Sequence, residues 1–187
     1  SILSSISDNT KVILIANPNN PTGSYLNKIE LELLCREVPK NILLVIDSAY
    51  AEFVTDEDYD SGIMFVNNFD NVVMTRTFSK LYGLASLRLG WSYSSKYISE
   101  IIDKVRQPFN VNSLAQVAGI EALGDLEHEN FIITKNKENL SKLRNGIECL
   151  GFQVMPSVAN FVLVKFENSN YSTSMHDFLI SRKVLVR

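Results

Sequence analysis

Residues 74–91 read MTRTFSKLYGLASLRLGW, and the surroundings of the lysine in that stretch decide how the rest of the chain is read. Lys80 stands after hydroxyls at Thr77 and Ser79 and eight residues before Arg88. The apolar run Val72-Val73-Met74 leads straight into it, and a mostly apolar segment follows. A solvated surface lysine needs no such company. The pattern gathers an amine, hydroxyls and a guanidinium at the end of a buried strand.

Upstream of this stretch, strand and helix patterns alternate. KVILIANP (11–18) is a strand stopped by Pro18, and NKIELELLCREVP (27–39) has apolar residues at mostly helical spacing. Asn27 and Glu30 form a capping box at its start, and Pro39 ends it. NILLVID (41–47) is an unbroken apolar run, which predicts a strand buried on both faces. Together these make a βαβ unit with a parallel strand pair and a right-handed crossover. An acid-rich loop (55–60) and an irregular connection lead to NVVMTR (71–76), a third strand. LRLGWSY (87–93) reads as a fourth, antiparallel because its link from Arg76 contains little helix.

Downstream, Ile98, Ile101, Ile102 and Val105 mark a helix that Pro108 helps to end. SLAQVAGIEALG (113–124) begins with Ser113 and Gln116 as a second capping pattern and stops at Gly124. A long helix from about His128 to Leu150 closes at Gly151 as a left-handed cap. FQVMP and NFVLVKF follow as strands, then a short helix near 173–182 and the terminal KVLVR. The fold class is α/β, with a mostly parallel sheet, flanking helices and an α+β C-terminal part. Composition shifts near 108–127 without a linker or repeat.

The chain has 187 residues, 45% of them hydrophobic, enough to bury a core. Charged residues make up 21% and the net charge is -3, so no basic stripe points to nucleic acid and no cationic face to a membrane surface. The longest apolar runs are strand-sized and far too short to span a bilayer. Cys35 and Cys149 have no paired spacing and read as reduced packing residues of a cytoplasmic protein. With only two histidines, His128 and His176, and no ligand spacing, zinc chemistry is not expected. The chain opens on Ser1 with no secretory leader pattern.

In an open parallel sheet, ligands bind beyond the carboxyl ends of the strands. The first strand runs into NPNNPTG (17–23), the second ends at Asp47 followed by Ser48, Ala49 and Tyr50, and the third ends at Thr77, Ser79 and Lys80. Each group has an ordinary reading of its own. NPNNPTG can be only a turn, Asp47 a cap, the Thr-Ser-Lys cluster a solvated loop and Arg88 a structural ion pair. If the three strands are neighbours, however, all of them face one crevice.

The combination of NPNNPTG, VIDSAYAEF (45–53) and TRTFSKLYGLASLRLGW (75–91) resembles the pyridoxal-phosphate-dependent aminotransferases of fold type I, class I/II. RQPFNVNSLAQ (106–116) and PSVANFVLVKF (156–166) make it most similar to the histidinol-phosphate aminotransferase branch. The likeness runs from about Lys11 to Arg187. It implies that Lys80 holds pyridoxal 5'-phosphate covalently and moves the substrate's Cα proton. Asn20 and Tyr50 would bond the cofactor's phenolic oxygen, Asp47 its pyridine nitrogen, and Thr77, Ser79 and Arg88 its phosphate. Such chemistry agrees with the residue types, because a phosphate dianion takes hydroxyl donors and a forked guanidinium. Arg187 matches a substrate-side arginine of the branch.

The resemblance further implies transfer of an amino group between histidinol phosphate and 2-oxoglutarate, with an aromatic aminotransferase, a threonine-phosphate decarboxylase or an inactive fragment as alternatives. It implies a homodimer in full-length form, taking a small amino-group donor and an oxo-acid, with neither nucleic acid nor membrane as partner. Residues 1–108 would be part of the large cofactor-binding domain, 109–127 an interdomain helical segment and 128–187 part of the small domain. This chain has Ser48 where the family usually shows an acid and Ser86 where it often shows glycine, which bears on specificity. Members of the family are nearly twice as long, so truncation at both ends is expected. The glycine turn at the phosphate, the ring that stacks on the pyridine, the residue that crosses the dimer and the arginine that clamps the substrate's acidic group would then lie outside this chain. A sheet cut in this way would expose an apolar edge and favour association.

Overall fold

The computed structural model describes residues 2–187. Strands β1 (Val12–Ala16), β2 (Leu43–Asp47), β3 (Val72–Thr77) and β4 (Gly90–Ser94) form one sheet in that order. β1, β2 and β3 are parallel, and β4 returns antiparallel to β3 with Gly90 opposite Thr77. The three predicted parallel strands are therefore neighbours, as a single crevice at their ends requires.

Helix α1 (Lys28–Glu37) joins β1 to β2 and has the capping box read from the sequence. The Asn27 side-chain oxygen accepts from the amides of Ile29 and Glu30, both at 3.0 Å, and the Asn27 amide donates to the Glu30 carboxylate at 3.0 Å. Three donors that the helix itself leaves unpaired are thus satisfied. Leu31, Leu34 and Cys35 project from α1 onto the sheet, where they meet Leu44, Ile46, Val72 and Met74. A short helix α2 (Ile63–Asn68) adds Phe65 and Val66 to this core. α2 stands where an irregular connection is expected, because six residues carry too little periodicity to stand out.

Side chains alternate along a strand, so Leu44, Ile46, Val72 and Met74 share one face. Leu43 and Val45 lie on the other face, which is only half covered, so β2 is not buried equally on both sides. The covered face continues past the strand ends through Asn17, Ser48 and Arg76, and Asn17 and Ser48 are completely buried there. The opposite face carries the row Ala16, Asp47 and Thr75, set by the strand register.

Beyond β4, α3 (Lys96–Val105), α4 (Ser113–Gly124) and α5 (Leu126–Cys149) follow, then the antiparallel pair β5 (Gln153–Met155) and β6 (Leu163–Lys165), and α6 (Ser169–Ser181). The cap of α4 is Asn112, not Ser113: its side-chain oxygen accepts from the Ala115 amide at 2.9 Å. Gln116 instead donates to the Val111 carbonyl, so the two residues do not form a capping box. α5 begins at Leu126 under an Asp125 cap, and Gly151 follows it with φ at +87°, the left-handed conformation the sequence predicts. α6 starts earlier than the expected residue 173, capped by Asn168, and the terminal KVLVR pairs with no strand.

A second core cluster joins the C-terminal part to the strand ends. Tyr50, Phe53, Leu81 and Ala159 are buried together, with Tyr82, Ile132, Ile133 and Phe161 packed against them. The Val158 amide also donates to the Gly23 carbonyl at 2.9 Å, closing the loop after β1 against the segment between β5 and β6.

Candidate active site

Asp47 ends β2 with its carboxylate exposed. Its Oδ1 accepts from the Ala49 amide at 3.2 Å and from the Thr75 hydroxyl at 3.5 Å, which orients the group without covering it. Three residues on, Tyr50 is buried at the entry to a 3₁₀ turn, Ala51–Phe53. The Asn20 amide donates to its hydroxyl at 3.0 Å, and Phe161 packs edge-on against its ring at 5.3 Å. Asn20 belongs to a loop tied at both ends. The Asn19 amide donates to the Ser24 carbonyl at 2.7 Å, and the Gly23 amide to the Asn19 carbonyl at 2.8 Å. NPNNPTG is a turn, and it is also a platform for Asn20.

After β3 the chain bends sharply, because the Thr77 hydroxyl accepts from the Ser79 amide at 3.0 Å. The bend leaves Lys80 exposed, with its Nζ 5.2 Å from the centre of the Tyr50 ring. A 3₁₀ turn, Ala85–Leu87, reverses the chain, and the Phe78 amide meets the Leu89 carbonyl at 3.1 Å. Arg88 is thereby returned to the limb opposite Ser79. It has φ at +54°, and its Nη1 donates to the Ala85 carbonyl at 2.8 Å. Gly90 allows the closure: a Cβ there would lie 2.8 Å from the Arg76 carbonyl oxygen.

The structure thus brings Asn20 to Tyr50 and Tyr50 to Lys80, and puts Thr77, Ser79 and Arg88 on two limbs of one connection. Arg187 lies past α6, exposed, and makes none of these contacts. His128 sits on α5 and His176 on α6. Ser48 points to the buried face, where its hydroxyl donates to the Ser61 carbonyl at 2.6 Å, so it packs the core.

Sequence reasoning missed an ion pair directly behind the site. Glu52 Oε1 accepts from Arg76 Nε at 3.0 Å and from Nη2 at 2.9 Å, with the two side chains 6% and 17% exposed. Glu52 Oε2 is buried without a hydrogen-bond partner. Burial pushes the carboxyl above the usual range, and the nearby Arg76 opposes this only in part. The signal for the pair was present in the sequence: in VVMTRT, Arg76 falls on the same alternating face as Val72 and Met74.

The family model for aminotransferase class I and II matches residues 1–187, the whole chain. The chain belongs to that family. Over its full length it is 46% identical to a histidinol-phosphate aminotransferase of Rhodospirillum centenum and 43% identical to one of Maricaulis maris. It covers 52% of each, so the chain spans about half the length of these curated relatives. Among solved structures, it is similar to the histidinol-phosphate aminotransferase from Sinorhizobium meliloti in complex with pyridoxal-5'-phosphate. That likeness has a TM-score of 0.89 at 30% identity and covers 95% of this chain and 48% of the other. The mostly parallel sheet and flanking helices are the architecture of this aminotransferase family.

Proposed function

We propose that the chain carries the lysine-bearing part of a pyridoxal-phosphate-dependent aminotransferase. The reaction is amino-group exchange between histidinol phosphate and 2-oxoglutarate, giving imidazole-acetol phosphate and glutamate. In histidine biosynthesis it runs in the opposite sense, with glutamate as donor. The observation that carries the reading is the meeting of Asp47, Tyr50 with Asn20, and Lys80 at the carboxyl ends of adjacent parallel strands. The shared name of the relatives supplies the substrate.

The donor set fits the cofactor. Asp47, exposed and already oriented, suits a protonated ring nitrogen, and the Tyr50 hydroxyl with the Asn20 amide suits the phenolic oxygen. Thr77, Ser79 and Arg88 suit the phosphate dianion. Lys80 presents its amine beside the Tyr50 ring, where it can attach to an aldehyde carbon. When bound, the cofactor supplies an electron sink for the electrons left at the substrate's Cα. Asp47 would keep the proton on that ring nitrogen. Once the substrate's amino group has displaced it, Lys80 Nζ would be the general base that takes the proton from Cα. Arg187 is proposed only as a substrate-side arginine, separate from the one that clamps the substrate's acidic group.

In this reading residues 1–108 belong to the cofactor-binding domain, 109–127 to an interdomain segment and 128–187 to the small domain. Exposed apolar side chains support assembly as a homodimer. Leu14 on β1 is 73% exposed and Phe109 is 97% exposed, and α4 shows Leu114, Val117, Ile120 and Leu123 to solvent on several sides. Free thiols at Cys35 and Cys149 suit a cytoplasmic setting. Among the described residues no helix is long and apolar enough to cross a membrane.

The test is the visible absorption of the purified chain with added pyridoxal phosphate, then borohydride reduction and mass mapping of the label. A new band with label on Lys80 supports the reading. Label scattered over surface lysines, or no band, overturns it for this chain.

A further inference from the structure

We propose that Glu52 and Arg76 are a positioning pair for the cofactor site, an inference that rests on the function proposed above. Glu52 lies two residues after Tyr50, on the turn that begins with that phenol. Arg76 lies one residue before Thr77 and four before Lys80, on the last turn of the β3 pleat. Their contacts at 2.9 and 3.0 Å are direct side-chain hydrogen bonds between the turn carrying the phenol and the strand end carrying the amine. The guanidinium also lies over the Trp91 ring of β4, whose centre is 5.8 Å from Arg76 Cζ. Arg76 is therefore held between two elements, and Lys80 follows from where it is held.

Stability alone is a poor explanation for this arrangement. Attraction within a buried ion pair is largely offset by the loss of hydration, so an apolar pair of the same volume often does as well. Here the geometry is less favourable still. One oxygen, Oε1, takes both guanidinium donors, and Oε2 is left without any. Glu129 of α5 adds a like charge that bears on Glu52, and the phenols of Tyr59 and Tyr82 feel both members of the pair. What the pair provides is a directional link. A guanidinium fork fixes distance and angle together, which apolar packing does not. The site reads that placement in the 5.2 Å separation of Lys80 Nζ from the Tyr50 ring.

The experiment compares Glu52→Gln and Arg76→Lys with Asn27→Ala, which removes the cap of α1, breaks no hydrogen bond to a site residue and serves as the control for lost stability. In the chain without cofactor, each lysine is labelled with a trace of acetic anhydride across a pH series and its relative reactivity is read by mass mapping. Glu52→Gln and Arg76→Lys are expected to change the reactivity of Lys80 against the other lysines at least about threefold, and Asn27→Ala to leave it unchanged. Pyridoxal phosphate affinity should fall about tenfold in the first two variants only. An unaltered Lys80 profile in Glu52→Gln overturns the proposal, as does an equal change in Asn27→Ala. Failure of the unsubstituted chain to take pyridoxal phosphate at Lys80 would instead count against the proposed function, and the labelling comparison would still decide whether the pair positions the amine.

Discussion

The Asn20 side-chain amide and the Tyr50 hydroxyl, thirty residues apart in the chain, are joined by a 3.0 Å hydrogen bond. The bond connects the loop after β1 to the turn after β2, and through the Tyr50 ring it reaches the lysine after β3. Tyr50→Phe removes the hydroxyl and leaves the Asn20 amide without it. A loss of about 1–1.5 kcal/mol in cofactor binding is expected, roughly five- to tenfold in affinity. Absorbance titration with pyridoxal phosphate measures it, and Asn20→Ala should lose a similar amount. Unchanged affinity in both variants would remove these two residues from the site.

The two cysteines should behave differently. Cys35 is 2% exposed in the α1 core, and burial pushes its thiol up to about 12. Cys149 is exposed at the end of α5. A disulfide reagent at neutral pH is expected to modify Cys149 quickly in the native chain and Cys35 only after denaturation. Rapid native modification of both would contradict the packing of α1 on the sheet.

Glu52 gives stability a definite pH dependence. Its folded carboxyl is raised from the usual 4.5, so the folded chain holds that proton more tightly than the unfolded chain. The contribution is most favourable below the usual value and is lost as pH rises from there to the raised one. Urea midpoints measured across that window should show a downward slope from this group, and Glu52→Gln should remove it. A variant with the same slope as the parent would assign the effect to other carboxyls.

Gly23 is a point where the N-terminal loop and the C-terminal part meet. It has φ at +73°, and a Cβ there would run into Ser157. Gly23→Ala must strain the backbone and push away the segment that carries Val158 and Ala159. The expected cost is about 1–2 kcal/mol from the left-handed conformation alone, before the clash with Ser157 is counted. Chemical denaturation measures the loss, and a neutral result would show that the two parts are not packed as described.

Local patterns settled much of this molecule. The apolar runs at 12–16, 43–47 and 72–77 specified strands, Asn27 and Glu30 specified the start of α1, and the little helix between Arg76 and Leu87 specified that β4 turns back. Each depends on residues close in sequence, where alternation, capping and chain reversal act. The lysine segment with Arg88 likewise stood out as a set of residue types. Other features depended on contacts across the fold. Only packing decided that Ser48 faces the core and that Phe161 from the C-terminal part backs Tyr50. The Glu52–Arg76 pair is the clearest case. Strand alternation places Arg76 on the covered face, but its partner stands 24 residues away, and only the parallel register of β2 and β3, with the turn after Tyr50, buries the two against each other.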